Sequence, residues 1–172
     1  MTKRTFCIIA AFAVLVGCQP GTPRYGGGIN RQETDAETTQ KQAKASKYAV
    51  DPIAMGQVID RYLGKGYSGK RGDEKGYDCS EFVGAVYNEY ASIHLPRTVE
   101  NLFKTGRSVE TGNLYFGDLV FFDTGGKGVS HVGIYVGFDE FVHSSSTDGV
   151  VISNLNDKYY QERYLGARRV ME

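Results

Sequence analysis

Cys79 lies where a helix is predicted to begin, in the stretch DCSE. Asp78 and Glu81 have the spacing of a capping box, which places Cys79 in the first helical turn. The unpaired N–H groups and the dipole at the start of a helix favour an anion, so they would stabilise a thiolate there. The alternative is a small buried apolar residue, because Phe82 and Val86 share the helix face of Cys79. Helix position alone therefore leaves a reactive thiol and a structural cysteine both open.

Two histidines could complete a catalytic site with this cysteine. A thiol nucleophile needs a base, and the base needs a group that orients it. The chain has three histidines, and His94 follows the predicted helix in an exposed connector, where we expect no catalytic role. His131 and His143 lie on consecutive strand patterns joined by a short turn at residues 137–140. To share one face of a sheet they need an odd-length loop there, or a bulge that restores the alternation of side chains.

Zinc binding is the alternative use of a Cys–His–His set, because all three side chains can ligate zinc. The Cys-x-x-Cys clustering of structural zinc sites is absent from the sequence, however. This absence disfavours a structural zinc site.

The N-terminal stretch MTKRTFCIIAAFAVLVGC predicts export. Lys3 and Arg4 precede an apolar run, Phe6 to Val16, whose eleven residues would rise about 16 Å as a helix. This is about half of a bilayer's hydrocarbon core, so the run indicates a cleaved signal peptide and not a membrane anchor. A buried core helix is the alternative, which the length and the charged flank disfavour. Residues 15–18, LVGC, are similar to the lipobox of bacterial lipoproteins, in which cleavage precedes the cysteine and lipid is attached to it.

Lipidation would account for the remaining cysteines. We expect residues 1–17 to be removed and Cys18 to carry several acyl chains, which hold a protein on a membrane effectively permanently. Cys7 would leave with the signal peptide, so Cys79 would be the sole free thiol and no intramolecular disulfide could form. Gln19, where an Asp would favour the inner membrane, favours the outer membrane facing the periplasm if the host is Gram-negative.

Residues 18–50 are predicted to be the lipidated cysteine and a flexible tether, because they contain few apolar residues and a run of three glycines. A short helix around Glu37–Lys47 is the alternative for part of this segment. Without residues 1–17 the formal charge falls from zero to −2, because Lys3 and Arg4 leave and no acidic residue does. This balance gives no indication of nucleic-acid binding.

Residues 51–172 are predicted to form one α+β domain. Asp51 and Pro52 indicate the start of a first helix that ends at Gly64, with an apolar face of Ile53, Val58, Ile59, Tyr62 and Leu63. A second helix runs from near Asp78 to Tyr90. Five stretches after Pro96 alternate as short strands: GDLVFFDT, VSHVGIYVG, EFVHSSS, GVVISNL and YLGARRVM. Helices followed by consecutive strands favour an antiparallel sheet.

Four blocks in this order, GYDCSEFV, GDLVFF, SHVGIYVG and FVHSSS, closely resemble the NlpC-type peptidoglycan cysteine endopeptidases. The resemblance extends from about residue 51 to the C-terminus, through LPRT at residues 95–98 and the terminal GARRV. The lipobox and tether are similar to those of the family's lipoprotein murein endopeptidases. The resemblance implies a trimmed papain-like fold, with the nucleophile on N-terminal helices packed against the sheet. It also implies hydrolysis of amide bonds in peptidoglycan stem peptides or cross-links, without a metal or organic cofactor.

The resemblance also implies a role for individual residues. The roles are the nucleophile, Cys79; the base, His131; the residue that orients the base, His143; the oxyanion region, Tyr67; and the substrate cleft, Asp78 and Ser80. A thiolate–imidazolium pair would attack the amide carbonyl and form a thioester acyl-enzyme, which water then releases. The Cys79 N–H and the Tyr67 hydroxyl could hold the oxyanion.

Two positions depart from the family's pattern. Glu81 stands where a small residue is common, and residues 98–102, TVENL, lack the glutamine often found after LPR. Glu81 either caps the helix or turns towards the cleft, where it would contact substrate and oppose the thiolate. Five basic residues could meet an acidic stem peptide or be ordinary surface charges: Arg97, Lys104, Arg107, Arg168 and Arg169.

Two other functions fit the same fold. One is a lipoprotein that binds peptidoglycan without cutting it, and the intact Cys–His–His set argues against this alternative. The other is a papain-like acyltransferase that acts on lipid, which differs in a cleft that the sequence does not define. We expect a monomer whose partners are peptidoglycan stem peptides and, through its lipid, a membrane.

Overall fold

The computed structural model describes residues 50–68 and 76–171 of the chain. The predicted signal peptide, Cys18, the tether before residue 50 and the alternative helix at Glu37–Lys47 lie outside these residues. Among the residues described, no helix is long and apolar enough to span a bilayer. The described residues therefore belong almost entirely to the domain predicted from residue 51.

Helix α1 (Pro52–Asp60) begins as the sequence predicts. Asp51 caps it by accepting hydrogen bonds from the N–H groups of Ile53 and Ala54, at 2.9 and 3.2 Å. The predicted apolar face is wrong in part, because Ile53 is 75% exposed and Leu63 lies beyond the helix end, 37% exposed. Val58, Ile59 and Tyr62 are buried as predicted, Tyr62 in the turn after the helix, and the fourth buried residue is Met55, which was not predicted.

Two short strands, β1 (Gly66–Tyr67) and β2 (Gly76–Tyr77), form a parallel pair before the second helix. Ser144, a buried residue of the main sheet, donates a hydrogen bond to the carbonyl of Tyr77 at 2.6 Å. This contact ties the segment that precedes Cys79 to the sheet.

Helix α2 (Cys79–Ala91) begins with the predicted capping box. The Asp78 carboxylate accepts the Glu81 N–H at 2.7 Å, and Glu81 Oε2 accepts the Asp78 N–H at 3.3 Å. The helix ends at Ser92, whose φ of 56° is left-handed. The residues of its inner face have no exposed surface: Phe82, Val83, Val86 and Tyr87.

The main sheet has six strands, and every neighbouring pair is antiparallel. They are β3 (Arg107–Val109), β4 (Leu119–Phe122), β5 (His131–Gly137), β6 (Glu140–Ser145), β7 (Gly149–Asn154) and β8 (Tyr164–Arg169). The spatial order is β3-β8-β4-β5-β6-β7. The α+β class and the antiparallel sheet are therefore confirmed, and five of the six strands match the predicted ones.

Several short elements were not predicted. Besides β1, β2 and β3 they are helix α3 (Val99–Leu102), a 3₁₀ turn (Thr111–Asn113) and helix α4 (Lys158–Gln161). Strand β3 has three residues of which only Val109 is buried, so it shows no alternation. Segments this short are formed by tertiary contacts and leave little periodicity in the sequence.

A bulge in β5 sets the faces of the two strands that carry His131 and His143. Ile134 pairs with Val142, but Gly137 pairs with Glu140, so β5 has one extra residue between these pairs. The connecting loop has two residues, and without the bulge the histidines would lie on opposite faces. The bulge restores the alternation, which confirms the parity prediction.

The two faces of the sheet carry different clusters. Helix α2 packs on the face that contains Phe121, Val132, Ile134 and Val142. The opposite face carries a mainly aromatic cluster: Val109, Val120, Phe122, Tyr135, Phe141, Leu155 and Ala167, with Leu114, Tyr160 and Tyr164 packed against it. His131 pairs with Phe122 across β4 and β5, so the histidines lie on this second face.

Candidate active site

Cys79 meets the sheet where β5 and β6 separate. The pairing of these strands ends at Ile134 and Val142, and beyond it the N–H of Val132 is directed at the Cys79 sulfur. Val132 follows His131 directly, so the fold brings the start of α2 next to the predicted base. Cys79 is half-buried and is the free cysteine of the described residues.

Burial dominates the protonation of the Cys79 thiol. Desolvation raises its pKa to about 11, and the nearby charge of Asp78 acts in the same direction. The N–H groups of Val132, Ser80 and Cys79 itself oppose this rise without cancelling it. Desolvation thus works against the expected thiolate in the substrate-free molecule and has a larger effect on this pKa than the N–H groups that lower it.

His131 and His143 form a direct hydrogen-bonded pair. The distance between His131 Nε2 and His143 Nδ1 is 2.9 Å, and the two rings are nearly perpendicular, at 84°. Burial lowers the pKa of His131 to about 4. Burial, and then the proximity of His131, lowers the pKa of His143 to about 3. Burial therefore favours the neutral form of both rings, which works against the expected thiolate–imidazolium pair.

One nitrogen of His131 is not engaged by His143. Because Nε2 contacts His143 Nδ1, Nδ1 is the nitrogen of His131 that remains for another proton donor. A neutral imidazole beside a thiol can act as a general base while the sulfur attacks, without a charged pair in the resting state. The arrangement can thus support nucleophilic chemistry even though neither group is ionised beforehand.

A glycine makes room for the histidine pair. A Cβ on Gly133 would lie 2.6 Å from Phe141 Cδ2 and 3.2 Å from His143 Cβ. Phe141 also stacks on His143, with ring centroids 5.0 Å apart. Any side chain at position 133 would therefore displace the rings that hold His143.

Asp78 and Ser80 brace the start of α2. Ser80 is buried, and its hydroxyl lies 2.8 Å from Asp78 Oδ1 and 2.9 Å from the carbonyl oxygen of Arg97. These contacts connect the helix to the loop at residues 92–98. The predicted cleft residues are thus engaged in the internal structure of the helix start.

A cavity of about 540 Å³ lies beside this helix start. It lies between α2 and the loop that follows it, and its lining residues include Ser80, Glu81, Gly84, His94 and Arg97. Glu81 therefore both caps α2 and lines the cavity, so the capping interpretation is confirmed while its carboxylate remains at the wall of a cleft. His94 is exposed, as the sequence predicts.

Tyr67 lies in β1, opposite Tyr77, which precedes Cys79 by two residues. Its side chain is 45% exposed. The parallel β1–β2 pair therefore places the predicted oxyanion tyrosine near the helix start, on the solvent side.

The five basic residues named from the sequence divide into two groups. Arg169 forms a bidentate ion pair with Asp118, at 2.6 and 2.7 Å, and Arg168 Nε donates to the Phe103 carbonyl at 2.6 Å. These two are internal structural contacts. The other three are exposed, and one of them borders the cavity: Lys104, Arg107 and Arg97.

Two hydroxyl groups that the sequence reasoning did not single out contact His143. Ser153 Oγ and Tyr160 Oη lie 3.0 and 3.1 Å from His143 Nε2. Strand alternation could have indicated Ser153, which is two residues from Val151, the partner of His143 in β7. No sequence signal indicates Tyr160, because its place depends on how α4 folds back over the sheet.

In the part of the chain that the structure describes, no group of three or more His, Cys, Asp or Glu side chains is arranged to hold a metal ion.

Comparisons with known proteins give the family. The sequence pattern of the NlpC/P60 family matches residues 62–169. The chain is 35% identical over 171 residues to MepS of Escherichia coli K12, a murein DD-endopeptidase and murein LD-carboxypeptidase, covering 95% of this chain and 89% of that one.

Solved structures agree with the fold. An NlpC/P60 family protein from Bacillus cereus matches with a TM-score of 0.65 and 32% identity, over 72% of this chain and 41% of that longer chain. RipD from Mycobacterium tuberculosis, described as a non-catalytic NlpC/p60 domain protein, matches at a TM-score of 0.58 and 20% identity, over 72% of this chain and 99% of that one. The fold is therefore the papain-like fold of these domains, and this chain belongs to the NlpC/P60 family of cysteine peptidases.

Proposed function

We propose that this protein is a cell-wall hydrolase that cleaves amide bonds in peptidoglycan stem peptides or their cross-links. The observation that carries the proposal is the His131–His143 hydrogen bond beside the helix-start thiol of Cys79. The similarity to a murein DD-endopeptidase over nearly the whole chain supports the substrate class.

In this proposal Cys79 is the nucleophile and His131 the general base. As the sulfur attacks the amide carbonyl, the thiol proton moves to His131 Nδ1 and the carbonyl oxygen becomes an oxyanion. The Cys79 N–H and the Tyr67 hydroxyl hold that oxyanion. His131 then returns the proton to the leaving amine, and the carbon–nitrogen bond breaks to give a thioester.

Water completes the reaction. His131 removes a proton from a water molecule, which attacks the thioester carbonyl, and the thiolate leaves and regains that proton. The products are a new amine and a new carboxylate. In this scheme His143 keeps the ring of His131 in place through both steps, with its Nδ1, 2.9 Å away, accepting a hydrogen bond from the His131 Nε2–H.

Substrate would approach past the start of α2. Asp78, Ser80 and Glu81 shape this entrance, and the cavity between α2 and the following loop extends it. The neutral thiol and imidazole gain reactivity when substrate displaces water, because developing charges interact more strongly in a site without solvent.

We further infer a lipid-anchored location. The lipobox at residues 15–18 supports attachment of lipid to Cys18 after removal of residues 1–17. The tether at residues 19–50 would let a monomeric domain reach the cell wall from the outer membrane, on its periplasmic side.

Digestion of purified peptidoglycan fragments tests the activity. The wild-type protein should create new amine and carboxylate termini, identified by mass spectrometry, and Cys79→Ala should create none while keeping its circular dichroism spectrum. A chelator should leave the rate unchanged. Binding to peptidoglycan without new termini would favour the non-catalytic alternative, and transfer of an acyl group between lipids would favour the acyltransferase.

A further inference from the structure

The second nitrogen of His143 is held by two hydroxyl groups. Ser153 on β7 and Tyr160 on α4 lie at 3.0 and 3.1 Å from Nε2. His143 is 1% exposed, so solvent has almost no access to its ring. Both ring nitrogens therefore have protein partners, His131 on one side and the hydroxyl pair on the other.

The direction of these hydrogen bonds decides whether His131 can act as a base. A neutral imidazole carries one N–H, and the other nitrogen accepts. For Nδ1 of His131 to accept the thiol proton, His131 must carry its own proton on Nε2 and donate it to Nδ1 of His143. His143 must then carry its proton on Nε2 and donate it to a hydroxyl oxygen.

The opposite direction would disable the base. If the hydroxyls donated to His143 Nε2, the His143 proton would move to Nδ1 and be donated to His131 Nε2. His131 would then carry its proton on Nδ1, facing the thiol, and could not receive another. The hydroxyls of Ser153 and Tyr160, at the end of the hydrogen-bond chain farthest from Cys79, therefore determine which of the two arrangements forms.

The surroundings of the pair favour the accepting role. Ser153 also interacts with the Tyr160 hydroxyl, where it works against the rise in pKa that burial causes. A Ser153 hydrogen directed at the Tyr160 oxygen would leave a lone pair of Ser153 for His143. Tyr160 is partly exposed, so its own hydrogen can be donated to solvent.

Among the residues that the structure describes, no carboxylate forms a hydrogen bond with His143 that would impose another protonation state. Phe141 stacks on its ring, and His131 and Tyr160 complete the contacts from β5 and α4. Asp148, in the turn between β6 and β7, acts only through its charge and raises the pKa of His143, against the larger effect of burial. His143 therefore stays neutral, and a neutral imidazole carries its one N–H on either Nδ1 or Nε2.

We propose that Ser153 and Tyr160 are positioning residues that hold His143 as its Nε2–H tautomer and thereby keep His131 Nδ1 free to take the Cys79 proton. The proposal rests on the proposed catalytic function. Neither residue touches substrate in this scheme. When His131 becomes positively charged during attack, the same oxygens stabilise the charge through the oriented His143 dipole.

Kinetics of five variants, one of them a control, test the proposal. Tyr160→Phe and Ser153→Ala should each lower kcat about 3- to 10-fold, because the remaining hydroxyl still accepts, and the double variant should lower it about 100-fold. KM should not change. Ser153→Thr should keep the wild-type kcat because it keeps the hydroxyl. Tyr159→Phe is the matched control: this neighbouring tyrosine is about half exposed, and the substitution removes a hydroxyl while keeping its ring contact with Tyr160.

Nitrogen NMR of ¹⁵N-histidine-labelled protein reads the tautomers directly. In the wild type both His131 and His143 should carry the proton on Nε2, and in the double variant the two tautomers should mix. The acid limb of kcat/KM should also move to lower pH in the double variant, because the imidazolium loses stabilisation. A merely structural role for the hydroxyls would move neither observable.

Two results would overturn the proposal: an Nδ1–H tautomer of His143 in the wild type, or a folded double variant with wild-type kcat and tautomers. The NMR measurement does not require turnover. If the wild type shows the expected tautomers but leaves peptidoglycan intact, the proposed function fails while the hydrogen-bond assignment stands.

Discussion

At the scale of single residues, burial governs the chemistry of the site. The pKa of Cys79 is raised and that of His131 is lowered, both chiefly by desolvation, so each group is held in its neutral form. A raised pKa favours the protonated thiol, and the thiol is less reactive towards oxidants than the thiolate. The site therefore depends on a base of the correct tautomer more than on a preformed ion pair.

Thiolate absorbance checks this protonation state. The ultraviolet difference between wild type and Cys79→Ser should be small at pH 7 and should rise only as the pH approaches about 11. Alkylation by iodoacetamide should accelerate over the same range. A thiolate band at pH 7 would show that the helix start prevails over desolvation and that the resting state is an ion pair.

At the scale of elements, the start of α2 and the bulge in β5 place the reacting groups. The capping box of Asp78 and Glu81 defines the first turn that carries Cys79. The extra residue in β5 turns His131 and His143 to one face. The capping box and the bulge are both local features. Together they define the start of α2 and the shared face of the two histidines on β5 and β6.

Two substitutions at Glu81 separate its capping contact from its charge. Glu81→Gly removes the side chain that accepts the Asp78 N–H, so the unfolding free energy should fall by about 1 kcal/mol. Glu81→Gln keeps an accepting oxygen and should restore most of that stability. Thermal and denaturant unfolding measure both.

The charge itself has a separate readout. If Glu81 acts only as a cap, neither variant should alter the dependence of Cys79 alkylation on pH. A faster alkylation of Glu81→Gln at lower pH, with better cleavage of acidic stem peptides, would instead assign the carboxylate to the cleft. The cavity that Glu81 shares with Arg97 is the place where such an effect would arise.

At the scale of the whole molecule, β8 lies between β3 and β4 in the main sheet and pairs with both. Arg169 at its end forms the bidentate ion pair with Asp118, the residue before β4, and the side chains are 11% and 2% exposed. The C-terminal strand is thus joined to the centre of the sheet by a buried charge pair as well as by backbone hydrogen bonds.

Breaking the Arg169–Asp118 ion pair should destabilise the domain without changing the residues of the candidate active site. Arg169→Leu leaves the buried Asp118 carboxylate without its main counter-charge, which should cost about 3–5 kcal/mol of unfolding free energy. Arg163→Gln removes a more exposed arginine paired with Glu162 and should change stability by less than about 1 kcal/mol. Equal effects in denaturant unfolding would contradict the structural role of the Arg169–Asp118 pair.

The buried histidines should make stability depend on pH. Their pKa values are about 4 and about 3 in the folded state, against an ordinary 6.5, so the unfolded chain binds protons that the folded chain excludes. Their contribution is fully present above about pH 6.5 and is lost as the pH falls towards 3. His143→Gln should flatten this slope between pH 7 and 4, and His94→Gln, at an exposed site, should not. An unchanged slope in His143→Gln would contradict the assignment.

Lipidation is tested on the whole chain in cells. Cys18→Ser should block removal of residues 1–17 and leave the protein without lipid, which metabolic labelling with palmitate and the mass of the isolated protein detect. The wild type should lack residues 1–17 in the membrane fraction. Their presence there would refute the predicted processing.

The sequence by itself determined the elements whose signals are local. Asp51 with Pro52, and Asp78 with Glu81, indicate helix starts through side-chain contacts within three residues. Alternation of apolar and polar residues indicates a strand with one buried face, so five of the six strands of the main sheet were predicted. The order of the four sequence blocks indicated the family. The bulge could be predicted only on the assumption that His131 and His143 lie on the same face of the sheet. Given that assumption, the alternation of side chains requires an odd-length loop or a bulge.

The tertiary structure alone decided what depends on distant neighbours. Desolvation of Cys79 and His131 requires the packed domain around them, so the sign of the pKa shift could not be obtained from a helix position. Tyr160 reaches His143 because α4 folds over the sheet, and Arg169 is internal because Asp118 lies beside it. Hydrogen bonds and burial between residues far apart in the chain leave no periodicity, and these long-range contacts set the protonation of the candidate site.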